Sequence, residues 1–195
     1  MISVINYKTD DLTPIEDALK QLGAEYKVTA VETEICAADK IIFPGTKDAR
    51  SAIKKVHLLN LFSMLRMIKK PILGIGLGMQ LLCEFSCEGN VACLGHFPVR
   101  VSPFEAPGMR IPNLGSFNIT PVRDCLLYKG VDTTKPFSFH NSFFVGVNDY
   151  TTATSENGIL FSASIKKDNC FGVQFHPELS GEEGIKVLKN FIEYA

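Results

Sequence analysis

The sequence has little net charge, no long apolar run and no paired cysteines, and each absence excludes a class of protein. Its 195 residues carry a net charge of -1, so the bulk charge gives no reason to expect binding to nucleic acid. No apolar run approaches the length of a membrane span, and the N-terminus lacks the basic and apolar parts of a signal peptide. We therefore predict a cytoplasmic protein with neither a nucleic-acid nor a membrane partner.

The six cysteines are scattered, with no Cys-x-x-Cys pair among them. This pattern favours buried, reduced thiols in a reducing compartment. A zinc site built from Cys87, Cys93 and His96 stays open as an alternative, although the sequence offers no evident fourth ligand. The favoured prediction is a chain without a metal and without a cofactor.

Strands and helices alternate through the first half of the chain, and short β-rich pieces follow. The predicted elements are a strand at 2–6, a helix from an N-cap at Thr13 to Gly23 with Glu16 completing a capping box, strands at 25–29 and 40–44, a helical segment at 50–69, a strand from Pro71, β pieces at 99–102, 117–120 and 137–147, a hairpin of 159–165 with 170–175, and a terminal helix from Gly184. Alternation at this spacing predicts right-handed crossovers between parallel strands. We therefore predict one α/β domain over residues 1–195, with a mainly parallel sheet and a smaller antiparallel portion.

The stretch 71–82 has the pattern of a nucleophile elbow without a nucleophile. Four residues lead into closely spaced glycines, and Met-Gln-Leu-Leu follows as the start of a helix. In such an elbow the reactive side chain sits between two glycines at the tip of a strand-to-helix turn. Here Gly74 and Gly78 flank the tip, and the tip itself is Gly76. A glycine has no side chain that could attack a substrate.

A second candidate for chemistry is Gly172-Val-Gln-Phe-His-Pro-Glu178, at the end of a predicted strand. His176 and Glu178 stand two residues apart with a proline between them. If the backbone turns there, they form a general base with an orienting carboxylate. An ordinary surface histidine would explain the tripeptide alone, but its combination with an elbow favours a catalytic pair.

These motifs resemble the class I (triad) glutamine amidotransferases, and within them the glutaminase subunits of imidazole glycerol phosphate synthases. The likeness covers nearly the whole chain, including 38–45, 71–82, 112–118 and 172–181. It implies a three-layer α/β/α fold of the flavodoxin-like type. It also implies release of ammonia from glutamine and its passage to a (β/α)8-barrel cyclase partner in histidine biosynthesis.

The resemblance also implies roles for particular residues. Gly76 occupies the position of the nucleophilic cysteine, His176 that of the base, and Glu178 that of its orienting carboxylate. The implied glutamine-binding or oxyanion positions are Gly45, Leu77 and Gln80, with Ser142 and Phe143 as looser candidates.

This chain departs from the family pattern mainly where the chemistry would occur. Loss of a covalent nucleophile typically lowers turnover about a million-fold, so we predict an almost inert glutaminase. Lys47 replaces a glycine of the oxyanion strand, at a cost of about 1 kcal/mol or more if the backbone must adopt positive φ. The segments 8–11, 112–117 and 141–144 also differ, which places docking to the usual cyclase in question.

The sequence leaves more than one function open. The first is an amidotransferase subunit that would need a cysteine at position 76; Cys83 begins roughly 10 Å along the helix axis and cannot substitute, nor can Cys87. The second is a non-catalytic subunit that binds glutamine or stabilises a synthase. A third is a divergent paralogue from a sugar-amidating pathway. Because several positions changed together, natural divergence is favoured over a single engineered substitution.

Overall fold

The computed structural model describes residues 1–7, 11–105 and 111–195. Its strands are β1 (Ile2–Ile5), β2 (Tyr26–Thr29), β3 (Lys40–Phe43), β4 (Ile72–Ile75), β5 (Cys83–Ser86), β6 (Val91–Ala92), β7 (Phe97–Pro103), β8 (Asn113–Phe117), β9 (Thr120–Pro121), β10 (Phe137–Asn141), β11 (Phe143–Val145), β12 (Thr151–Glu156), β13 (Leu160–Lys167) and β14 (Cys170–Val173). The helices are α1 (Thr13–Gln21), α2 (Glu32–Ala37), α3 (Ala49–Leu58), α4 (Phe62–Met67), α5 (Leu77–Leu81) and α6 (Gly181–Tyr194), with 3₁₀ turns at Leu126–Tyr128 and Pro177–Leu179.

A central sheet organises the described residues, in the order β2-β1-β3-β4-β14-β13-β12-β9. The strands from β2 to β14 pair in parallel, whereas β13, β12 and β9 continue the sheet antiparallel. The described residues also form two smaller sheets, β11-β7-β5-β6 and β10-β8. This arrangement confirms the predicted α/β class with a mainly parallel sheet and a smaller antiparallel portion.

Apolar side chains are buried on both faces of the parallel part of the sheet, which is why β1, β3 and β4 are nearly continuous hydrophobic runs. In β3, Ile42 packs on one face with Leu19 of α1 and Phe191 of α6. Its neighbours Ile41 and Phe43 point to the opposite face, which α3 covers. Alternate residues of one strand thus enter two separate cores, so the sheet is the middle layer of three.

Helix α1 begins differently from the prediction. Leu12 is the N-cap and forms no capping hydrogen bond, so the predicted capping box of Thr13 and Glu16 is wrong. Instead Asp11 Oδ1 accepts from the Thr13 N–H at 3.0 Å, and the Glu16 carboxylate accepts from the Tyr26 hydroxyl at 3.0 Å. Because Glu16 bonds to Tyr26 of β2, its carboxylate is not available to cap the helix.

Four other predicted elements have different bounds. The β piece predicted at 117–120 divides between β8, which ends at Phe117, and β9, which begins at Thr120. The segment 50–69 divides into α3 and α4, because Asn60 adopts a φ of 58° between them. The segment 137–147 divides at Ser142 into β10 and β11, which join different sheets. The terminal helix α6 begins at Gly181 rather than Gly184.

Two further observations concern the whole chain. None of the helices among the described residues is both long and apolar enough to cross a membrane. The predicted departures from the family pattern at Lys8, Thr9 and Asp10 lie outside the described residues.

Candidate active site

The elbow predicted around Gly76 is present at the carboxyl end of β4. Gly76 has φ 58° and ψ -119° and is the N-cap of α5. Its N–H donates to the carbonyl of Val173 at 2.8 Å, which ties the turn to β14. At Gly78 a Cβ atom would lie 1.8 Å from the Phe43 carbonyl oxygen, so only glycine lets α5 approach β3. The chain has kept the backbone of a nucleophile elbow although its tip carries no side chain.

His176 and Glu178 meet as the sequence predicts. His176 Nδ1 lies 2.9 Å from Glu178 Oε1, and the two side chains are only 4% and 6% exposed. The turn Pro177–Leu179 brings them together, and Ser180 Oγ donates to the His176 carbonyl at 2.6 Å. With Nδ1 directed at the carboxylate, Nε2 is the ring nitrogen that could accept a proton.

The basic nitrogen of His176 faces the place where the side chain of residue 76 would be. A Cβ atom on Gly76 would lie 3.0 Å from Nε2 and 2.9 Å from Cε1 of the ring. It would also lie 2.8 Å from the carbonyl oxygen of Gly45. These distances are shorter than ordinary van der Waals contacts, so His176 and Gly45 leave little space for a side chain at residue 76.

At the predicted oxyanion positions, Gly45 and Leu77, the protein's own backbone groups bond to each other. The N–H of Leu77, the residue after the elbow tip, donates to the Gly45 carbonyl at 2.8 Å. That N–H could stabilise a negative oxygen only if the Gly45 peptide moved. Lys47 has a negative φ, because the non-glycine described residues with positive φ are Asn60, Asn90 and Asp168. The cost predicted for Lys47 therefore arises only if the strand rearranges.

Beside the elbow lies a small cavity of about 70 Å³. Its lining residues are Thr46, Lys47, Leu77, Gln80, Glu88, His140, Asn141, Ser142, Phe143 and Gln174. The structure thus brings four of the predicted positions, Leu77, Gln80, Ser142 and Phe143, into one site. Ligand sites usually have volumes of about 300 Å³ or more, so this cavity is small for a ligand site.

Gln80 is held by a network at the base of this cavity. Its Nε2 donates to the Phe143 carbonyl at 3.0 Å and to Gln174 Oε1 at 2.8 Å, which uses both of its N–H groups. Asn141 Nδ2 also donates to the Phe143 carbonyl, at 2.9 Å. The backbone oxygen of Phe143 therefore accepts two hydrogen bonds in this network. The buried Gln174 Nε2 has no partner among the described residues.

Residues that the sequence analysis did not single out also line the cavity, chiefly Glu88 and Gln174. Glu88 Oε2 accepts from the N–H of Ala49, the first residue of α3, at 2.7 Å. Burial raises the pKa of this carboxyl, although the Ala49 hydrogen bond opposes the shift. No spacing rule predicts that the side chains of these two residues turn toward the cavity.

The zinc alternative does not fit the described residues, in which no three His, Cys, Asp or Glu side chains come together as metal ligands. His96 Nε2 is 2.8 Å from the Leu65 carbonyl, and Cys93 Sγ is directed at the Val91 carbonyl. Cys87 is exposed. The alternative is therefore wrong for this part of the chain.

Cys83 cannot serve in place of the missing nucleophile. It is the first residue of β5 and is completely buried. Burial raises the pKa of its thiol well above the usual range, and nearby Cys93 adds to the shift. The reactive thiolate form is therefore strongly disfavoured.

Comparison with known proteins agrees with this geometry. The family model described as glutamine amidotransferase class-I matches residues 4–194. The chain is 38% identical over 195 residues to the imidazole glycerol phosphate synthase subunit HisH of Bacteroides fragilis, covering 98% of each chain. It is 36% identical over 192 residues to the protein of the same name from Haemophilus influenzae, covering 98% of this chain and 96% of that one.

Solved structures share the fold at lower identity. The structure of PurLQS from Thermotoga maritima superposes with a TM-score of 0.74 at 17% identity, over 99% of this chain and 97% of that chain. A glutamine amidotransferase from Thermotoga maritima gives 0.67 at 16% identity, over 98% and 80%. At such identities the likeness concerns the fold alone.

Proposed function

The chain belongs to the class-I glutamine amidotransferases, and from that premise we propose that it is the glutamine amidotransferase subunit of an imidazole glycerol phosphate synthase in histidine biosynthesis, with its glutaminase step lost. The observation that carries the proposal is Gly76 at the tip of an intact elbow, facing the free Nε2 of His176. The frame for covalent catalysis is present, and the atom that would form the bond is absent.

The reaction that this frame would support can be followed atom by atom. A thiol at position 76 would transfer its proton to His176 Nε2, and its sulfur would attack the side-chain amide carbon of glutamine. Glu178 would hold Nδ1–H and stabilise the resulting imidazolium. The imidazolium would return the proton to the departing ammonia, and water would then hydrolyse the thioester to glutamate. Because Gly76 has no sulfur, the first bond cannot form.

We assign the binding of glutamine to the cavity beside the elbow. Gln80 is anchored through both N–H groups, so its Oε1 remains available as an acceptor. Glu88 supplies a carboxylate for the α-ammonium group of an amino acid, and the backbone around Ser142 and Phe143 forms the opposite wall. Because the cavity is about 70 Å³, the pocket must open before glutamine enters.

We further propose that residues 1–195 act as one cytoplasmic domain that forms a heterodimer with a (β/α)8-barrel cyclase. The relatives named above are subunits, which supports a partner. All six cysteines are free thiols, which supports a reducing compartment. Co-purification with the cyclase encoded in the same genome as a one-to-one complex tests the pairing.

The decisive experiment measures ammonia release from glutamine by the native chain and by Gly76→Cys, each alone and with the cyclase. We expect near-background turnover for the native chain and a gain of at least about 1000-fold for Gly76→Cys. Gly76→Ala is the matched control, because it adds the same Cβ without a thiol. Native turnover clearly above background and within tenfold of that of Gly76→Cys would contradict the loss of the step.

A second candidate function is a non-catalytic subunit that stabilises its partner. The contact of the Gly45 carbonyl with the Leu77 N–H, together with the small cavity, favours it. Calorimetric titration with glutamine separates the two candidates. Tight glutamine binding together with ammonia release by Gly76→Cys supports a recent loss of catalysis. The absence of both glutamine binding and ammonia release supports the non-catalytic subunit.

A further inference from the structure

A second cavity, of about 410 Å³, lies at the opposite end of the sheet from the elbow. Its wall includes Ile72, the first residue of β4, and Cys170, the first residue of β14. The four residues of β4 separate it from Gly76 by roughly 13 Å. The cavity is therefore distinct from the glutamine pocket and shares no lining residue with it.

Positive charge dominates the lining of this basic cavity. It contains Arg66, Lys69, Lys70, Lys167 and His96, opposed by the single carboxylate of Asp168. Even with a neutral His96, four cations and one anion leave a local charge of three positive units. This concentration is local, because the whole chain carries a net charge of -1.

The fold does not neutralise these cations. Among the described residues, none of the five basic side chains forms an ion pair with a carboxylate. Lys70 is used structurally, since it donates to the carbonyls of Cys36 and Ala38 at the end of α2. The side chains of Arg66 and Lys69 have no hydrogen bond within the same described part, so their donors remain available.

Lys167 and His96 both line the cavity and are joined by a hydrogen bond. Lys167 Nζ donates to the His96 carbonyl at 3.3 Å, and His96 Nε2 lies 2.8 Å from the Leu65 carbonyl. Burial lowers the pKa of His96, and the charges of Lys69 and Lys167 lower it further. His96 therefore responds to the local charge and can report on an arriving anion.

We propose that the basic cavity is a binding site for a small phosphate anion with more than one phosphoryl group. A single phosphate monoester carries about -1.5 to -2 charge, so more than one group is needed to balance the three positive units. Arg66 offers a planar fork of donors for phosphoryl oxygens, and the lysines offer point charges. The concave shape favours a small anion over an extended polymer.

The test uses pyrophosphate and the intact chain, at about 50 mM and about 200 mM NaCl. We expect saturable binding by calorimetry that weakens at higher salt. Lys69→Gln combined with Lys167→Gln should weaken binding about tenfold or more. The charge-matched control is Lys135→Gln combined with Lys189→Gln, whose lysines are outside the cavity lining, and it should bind as the native chain does. Lys167→Arg keeps the charge and should retain binding.

Proton NMR of the histidine rings supplies an independent measurement. Pyrophosphate should raise the pKa of His96, because a nearby negative charge stabilises the imidazolium. The absence of both binding heat and a His96 shift would overturn the proposal. Equal loss of binding in the cavity variant and the control would also overturn it, as would binding of a short RNA without binding of pyrophosphate.

Discussion

Replacing Gly76 with alanine should destabilise the fold, because the elbow holds residue 76 in a backbone conformation that residues with a Cβ rarely adopt. The φ of 58° with ψ of -119° is sparsely populated by residues with a Cβ, and holding such a residue there costs about 1–3 kcal/mol. The new Cβ would also meet Gly45 O at 2.8 Å and His176 Cε1 at 2.9 Å. Crowding of this kind adds about 1–3 kcal/mol.

A smaller effect opposes these two terms. Alanine restricts the unfolded chain more than glycine does, which stabilises the fold by about 0.4–1 kcal/mol. Combining the three terms gives a loss in the free energy of unfolding of about 3 kcal/mol. Equilibrium unfolding in urea measures this loss, provided that the slope of the transition is the same for both proteins.

Alanine variants of two other glycines allow the cost of backbone strain to be measured separately from the cost of crowding. Gly130 has a φ of 68° but open space around a Cβ, so Gly130→Ala should show the strain alone, about 1 kcal/mol. Gly146 has neither positive φ nor a neighbour within 4 Å, so Gly146→Ala should lie within about 0.5 kcal/mol of the native chain. If Gly76→Ala were as stable as Gly146→Ala, the argument from the elbow geometry would be refuted.

Three further predictions concern the site and its support. In a Gly76→Cys background, Glu178→Gln should lower kcat about 10³-fold or more, because His176 Nδ1–H loses its carboxylate; an unchanged kcat would exclude the triad. Burial raises the folded pKa of Glu88, so the folded state binds its proton more tightly and stability falls as pH rises from about 4.5 through the folded pKa. Glu88→Gln should remove that fall, as urea unfolding at several pH values would show. Asn190 Nδ2 donates to the carbonyls of Leu127 and Lys129 at 2.9 and 2.8 Å, so Asn190→Ala should lower the free energy of unfolding by about 2–3 kcal/mol.

The parts of the fold that the sequence predicts are those with local causes. The alternation of apolar strands and amphipathic helices predicts the parallel half of the sheet, and the glycines around Gly76 predict the elbow. His176 and Glu178 are two residues apart, so one backbone turn decides whether they meet. The sequence pattern is sufficient where a few neighbouring dihedral angles determine the outcome.

The remaining features depend on contacts between distant segments. The hydrogen bond of Gln80 with Gln174 spans 94 residues, and no periodicity predicts it. The Glu16 carboxylate does not form the predicted capping box, because it accepts a hydrogen bond from Tyr26 of β2 instead. The basic cavity lies between α4 and the ends of β13 and β14. In the sequence, the lysines that line it look like ordinary surface charges. Such features require the packed structure.

The last prediction concerns whether Lys47 would limit catalysis even if a thiol were restored at position 76. If the oxyanion strand must adopt positive φ near residue 47 to free the Leu77 N–H, a lysine there costs about 1–2 kcal/mol relative to glycine. Lys47→Gly should then raise kcat of Gly76→Cys about tenfold, a factor that corresponds to about 1.4 kcal/mol. It should leave the native chain inert, because the thiol is still absent. An unchanged kcat in the double variant would mean that Lys47 does not hinder the rearrangement, and that the missing sulfur alone accounts for the lost step.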